Sequence, residues 1–127
     1  MYPEDRRYSE EHEWLQVEGD LHVLGITQFA QEELGDVVFV ELPEVGASVE
    51  AGGEIGSIES VKAVAELFSP VDGEIVEIND EIDDAPELVN EDPHGKGWLV
   101  KIRVEDASAV DELMDASAYT EFTSGSD

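Results

Sequence analysis

Apolar positions along this chain come in short runs separated by glycine, proline and acidic turns, which predicts many short strands rather than long helices. Leu15-Gln16-Val17 and Leu21–Ile26 flank Glu18-Gly19-Asp20, a hairpin pattern with glycine in its turn. Thr27 is placed to cap a short helix in which Ala30 and Leu34 share a face and which Gly35 ends. Val37–Leu42 is a compact β run stopped by Pro43, and a short strand is expected around Ser48 and Val49. Two further runs, from Gly52 to Ile58 and from Val64 to Phe68, bracket Glu59-Ser60-Val61-Lys62-Ala63. They predict a second hairpin with Lys62 at its tip. Gly73–Ile78 is the next strand.

Residues 79–97 are acidic, contain Pro86 and Pro93, and read as a long loop with one helical turn near Glu87-Leu88-Val89. In 98–104, Trp98, Val100, Ile102 and Val104 face one way and Lys101 and Arg103 the other, so one side is buried. Ser108 with Asp111 makes a capping-box start for a C-terminal helix carrying Val110, Leu113, Met114 and Ala118. The expected architecture is mainly β, a sandwich or flattened barrel with short helices. A single domain over 1–127 is expected, with flexible ends at 1–6 and 123–127.

Composition narrows the function. The 127 residues fit one core, and 41% of them are hydrophobic, too many for a disordered chain. Against 33 acidic residues stand only 6 basic ones, a net charge of −27. That charge argues against nucleic acid and against anionic membrane surfaces, both of which need a basic footprint. It fits either recruitment of a basic partner or life in concentrated salt, where the Debye length shrinks to about 3 Å at 1 M. The acids are spread from Glu4 to Asp127, which favours the second reading. The fold is then expected to loosen, with a falling melting temperature, as salt is removed. No run reaches the roughly eighteen apolar residues of a membrane span. With no signal-peptide pattern after Met1 and no cysteine, a cytoplasmic protein of a salt-rich prokaryote is expected, the alternative being a mature mitochondrial form.

Most constellations lead nowhere catalytic. His12, His22 and His94 lack metal-pair spacing and are expected as surface or packing residues. Gly95-Lys96-Gly97 is not a phosphate loop, and no Gly-x-Ser-x-Gly motif occurs. Lys62 stands apart, as one of three lysines in an acidic chain. An ordinary surface lysine is one reading. A Schiff-base nucleophile is a second, and needs burial in an apolar pocket. The third is an attachment point for a carrier group, which needs an exposed amine on a tight turn between small residues. Ser60, Val61 and Ala63 suit that third role.

Glu59-Ser60-Val61-Lys62-Ala63 resembles the lipoylation motif of glycine cleavage system H proteins. The resemblance extends through 7–14, 25–31, 34–43 and 69–75, and through Asn79, Pro86–Asn90 and Gly97-Trp98-Leu99, covering about residues 7–104. It implies a barrel-sandwich hybrid fold with a C-terminal helix, lipoate bound covalently to Lys62, and a monomeric carrier that is not itself an enzyme. It also implies four partners: glycine decarboxylase, the aminomethyltransferase, dihydrolipoyl dehydrogenase and a lipoate-attaching enzyme. The arm would carry the aminomethyl group of glycine between the first two and electrons to the third. By the same resemblance, Glu13 and Glu66 would line the groove that shelters the loaded arm. Two positions depart from the family pattern: Glu11 stands where a small hydroxyl residue is common, and Glu33 where a histidine is often seen.

A lipoyl domain of a 2-oxoacid dehydrogenase complex would show Asp-Lys-Ala, and a biotin carrier Met-Lys-Met, whereas this chain has Val61-Lys62-Ala63. An H-like protein that relays lipoyl groups to other enzymes, and an unmodified acidic interaction protein, share the sequence features and remain as alternatives.

Overall fold

The computed structural model describes residues 2–124. Among these residues nine strands form two open antiparallel sheets, joined by short helices. The larger sheet has the order β1 (Arg7–Tyr8), β2 (Glu13–Glu18), β3 (Leu21–Ile26), β9 (Val100–Val104), β8 (Gly73–Ile78) and β5 (Ser48–Val49). The smaller has β4 (Val37–Glu41), β6 (Glu54–Ser60) and β7 (Val64–Phe68). Alternation of apolar and polar positions places Leu15, Leu24, Ile58, Ile75 and Ile102 between the sheets, each at most 1% exposed. No helix among the described residues is long and apolar enough to cross a membrane.

Both predicted hairpins form, β2–β3 and β6–β7. The helix after Thr27 is α1 (Gln28–Leu34). The Thr27 hydroxyl accepts from Ala30 N at 3.2 Å, and Gly35 ends the helix with φ 77°, a conformation that suits glycine. A glycine is also required at position 25, because a Cβ there would lie 2.6 Å from the Trp14 ring that packs on it.

Three expectations need correction. Residues 79–97 hold two helical turns, α2 (Glu81–Asp84) and α3 (Leu88–Glu91), whose Ile82 and Val89 are fully buried. Two apolar anchors in an acidic stretch were enough to fold it onto the core. Leu99 is fully buried and precedes β9, so the alternation starts at Val100 rather than Trp98. The C-terminal helix is split into α4 (Ser108–Asp111) and α5 (Ala116–Ser124). Between them Met114 exchanges both backbone hydrogen bonds with Tyr8, at 2.8 and 3.0 Å, which pulls the chain out of helical geometry. Ser108 is the first residue of α4 rather than its cap, and its N and Oγ donate to Asp106 just ahead of the helix, while Asp115 accepts from Ala118 N at the start of α5.

At the ends, Tyr2 packs on Tyr8 and Tyr119, Arg6 lies 4.5 Å above the Trp14 ring, and Thr123 is buried in α5. Residues 1 and 125–127 of the stretches expected to be flexible lie outside the described residues.

Candidate functional site

The sequence of the β6–β7 turn makes a tight, self-satisfied tip. Ser60 N donates to Ala63 O at 2.8 Å, closing a turn with Val61 and Lys62 at its centre. Neither central residue has positive φ. Ser60 is buried, and its hydroxyl accepts from Lys62 N and Ala63 N while reaching Ala63 O at 3.2 Å. Val61 N donates across to Asp36 O at 3.0 Å, which ties the tip to the segment after α1. The backbone of the tip is therefore held while Val61, Lys62 and Ala63 are exposed.

The Lys62 stem lies back over Gly35, where a Cβ would meet its Cε at 3.2 Å. Its amine makes no hydrogen bond or ion pair with the described residues. Lys62 is exposed, so the burial required for a Schiff-base lysine is missing. Glu59 is exposed as well, opposite Phe39 and Val64 in the sheet register.

Close to this point, with Leu34 and Val64 among its lining residues, a groove of about 430 Å³ runs along α1. Phe29, Ala30, Glu33 and Leu34 form one bank, and Val64 and Glu66 of β7 stand on the other. The six steps from Phe29 to Gly35 rise about 9 Å at helical spacing. Glu13 and Glu66 both line this groove, as do the two departures from the family pattern, Glu11 and Glu33. Glu66 is exposed at the rim. Glu13 is only 2% exposed, on β2. Its carboxylate accepts from Ser9 Oγ at 2.7 Å and from Phe68 N at 3.2 Å. Burial pushes its pKa up to about 7, against the lowering effect of those two donors. Near neutrality Glu13 is thus a carboxyl that takes up or releases a proton beside the groove.

Three residues matter here that sequence reasoning passed over. Asn90 of α3 donates to Gln31 Oε1 and Gly35 O and accepts from Val37 N, all within 2.9 Å. It therefore fixes the end of α1 against β4, next to the Lys62 stem. His12, expected as a packing residue, packs 4.7 Å from Phe29 and also lines the groove. Tyr119 of α5 is fully buried, with its hydroxyl 2.7 Å from both His12 Nδ1 and Thr27 Oγ1. Asn90 lay inside a recognisable motif, but no spacing rule announces a contact between residues 53 positions apart.

An exposed amine beside a slot with apolar banks and carboxylates fits a tethered acyl chain ending in a cationic group. The sequence profile described as "Glycine cleavage H-protein" matches residues 6–126. The chain is 58% identical over 122 residues to the glycine cleavage system H protein of Halalkalibacterium halodurans, covering 96% of this chain and 95% of that protein. It is 57% identical over 121 residues to the protein of that description from Bacillus cereus, covering 95% of each. The crystal structure of a glycine cleavage system H protein from Mycobacterium marinum superimposes with a TM-score of 0.89 at 43% identity. That match covers 97% of this chain and 99% of the other. These likenesses bear out the barrel-sandwich hybrid fold and the expectation of a carrier in glycine cleavage. With a match running from residue 6 to 126, the chain belongs to the glycine cleavage H-protein family.

Proposed function

We propose that this chain carries lipoate in amide linkage on Lys62, within the motif Glu59-Ser60-Val61-Lys62-Ala63, and serves glycine cleavage as a monomeric, non-enzymatic carrier. The supporting observation is an exposed lysine, without a polar partner among the described residues, on a backbone-fixed turn whose stem lies over Gly35, adjacent in the chain to Leu34 of a groove of about 430 Å³. When bound, lipoate supplies the disulfide and thiol chemistry that this cysteine-free polypeptide lacks. Lys62 acts as the tether, which converts transfer between enzymes into a local search at raised effective concentration. The apolar bank of α1 excludes water, and Glu13 and Glu66 accept hydrogen bonds from an amine lying in the groove. Glu13 can also hold the proton such an amine gives up.

The partners are glycine decarboxylase, the aminomethyltransferase, dihydrolipoyl dehydrogenase and the enzyme that attaches lipoate. The acidic composition, 33 acidic residues against 6 basic, supports a cytoplasmic location in a prokaryote adapted to salt. Intact mass of the protein from its native host tests the attachment. A lipoyl adduct is expected in the wild type and absent from Lys62→Arg, which should keep its unfolding free energy within about 0.5 kcal/mol, as surface substitutions do. An unmodified native protein overturns the proposal. Glycine–bicarbonate exchange with the decarboxylase then separates glycine cleavage from lipoyl relay, because a pure relay protein would not support it.

A further inference from the structure

The polar side chains lining the groove are four carboxylates, Glu11, Glu13, Glu33 and Glu66, and one imidazole, His12. Glu11, Glu33 and Glu66, when ionised, only accept hydrogen bonds, and Glu13, ionised or protonated, carries no N–H. His12 is therefore the one lining side chain able to offer a fixed N–H donor, provided its proton sits on the nitrogen that reaches the groove.

The hydrogen-bond chain behind His12 decides that. Thr27 is fully buried, and its Oγ1 already accepts from Ala30 N. The other hydrogen-bond neighbour of that hydroxyl is Tyr119 OH at 2.7 Å. If Tyr119 donated to Thr27, the Thr27 proton would be left buried without an acceptor. Thr27 therefore donates to Tyr119, and Tyr119 donates to His12 Nδ1 at 2.7 Å. With Nδ1 as acceptor, the proton of the neutral ring is on Nε2. Nε2 has no hydrogen-bond partner among the described residues and is not occluded. Burial lowers the pKa of His12, against the charges of Glu11 and Glu33, and this keeps the ring neutral.

The backbone points the same way. His12 is the one non-glycine residue with positive φ among those described, at 68°. It is held there by His12 N donating to Ser9 O and Thr27 N donating to His12 O, both at 3.0 Å. A left-handed conformation enforced at a groove wall marks a side chain aimed by its surroundings. The ring sits beside Phe29, at the end of the α1 bank remote from Gly35 and the Lys62 stem.

We propose that His12 is a positioning residue whose Nε2–H, locked in that tautomer by the Thr27–Tyr119 relay, donates to the distal sulfur of a reduced arm carried on Lys62. The inference rests on the lipoyl-carrier reading for the arm itself, but not for the tautomer. It makes α5 part of the site, although no residue of α5 lines the groove.

The test needs no destabilising variant. Long-range 15N–1H correlation spectra of the unmodified protein should show His12 protonated on Nε2 and unprotonated on Nδ1. The opposite tautomer overturns the relay. After lipoylation, verified by intact mass, and reduction, exchange of the Nε2–H with water should slow roughly three- to tenfold, the range one net hydrogen bond supplies. An unchanged exchange rate on verified lipoylated protein overturns the sulfur contact while leaving the carrier reading intact. Failure of Lys62 to accept lipoate sinks both, and the mass spectrum distinguishes that case. Tyr119→Phe should spread the ring over both tautomers while Lys62 still accepts lipoate, which a purely structural role for Tyr119 would not produce.

Discussion

The hairpin tip and the groove wall meet at one site but are built on opposite plans. The tip is a single stretch, residues 59–63, whose backbone groups are satisfied within four residues by Ser60 and Ala63 and by one bond to Asp36. Apart from buried Ser60, its side chains are exposed, with Val61 at 69%. The wall is assembled from Ser9, Glu13, Thr27, Phe68 and Tyr119, and its key groups are buried. A carrier needs both plans. An amine that is to carry a group between enzymes must be reachable by them, so little can pack on it. The groove must hold polar groups in a dry, fixed arrangement, and that takes contacts from across the fold.

Substitutions should therefore cost more in the wall than at the tip. The largest effect is expected at Glu13. Its carboxyl binds a proton more tightly when folded, with a pKa of about 7 against an ordinary value of 4.5. The stability this provides is full below pH 4.5 and is lost as pH rises through 7. Over that window the wild type should lose about 3 kcal/mol relative to Glu13→Gln, which cannot ionise there. Urea unfolding of the two proteins between pH 4 and 8 measures the difference. Parallel curves would show that Glu13 is solvated and that the wall is no different from the tip.

Asn90 stands at the junction. Asn90→Ala removes two donated bonds and strands the Val37 amide, at an expected cost of about 2 kcal/mol. It should also loosen the seat of Lys62 on Gly35, seen as faster amide exchange at Gly35 and Val37. A cost confined to global stability, with no local change in exchange, would detach Asn90 from the site. The smallest effect is expected at the tip. Ser60→Ala loses the hydroxyl that organises Lys62 N and Ala63 N and should cost about 1 kcal/mol by thermal unfolding. A cost above that of Asn90→Ala would reverse the ranking.

Legibility in the sequence follows the same division. The Lys62 turn could be read because its determinants are adjacent in the chain: two short apolar runs with a small polar turn between them. The Thr27 cap and the Gly35 stop were readable for the same reason. The C-terminal segment was not. Its apolar spacing fits one helix, but Met114 pairs with Tyr8, 106 residues away in sequence, and the helix breaks there. Residues 79–97 read as loop because acidic side chains mask the isolated anchors Ile82 and Val89. Among the groove carboxylates, resemblance picked out Glu13 and Glu66. In a chain with 33 acidic residues, charge alone could not tell a buried carboxyl with two donors from one at the rim.

By itself, then, the sequence determined the mainly β architecture, the hairpins, the family pattern and the place of Lys62, because short-range periodicity and turn chemistry act within a few residues. Only the tertiary structure decided what the groove is made of. It buried Glu13 under Ser9 and Phe68, turned Asn90 into a brace, and set Tyr119 behind His12. Desolvation and hydrogen-bond direction are properties of surroundings, and those surroundings come from parts of the chain that meet only when it folds.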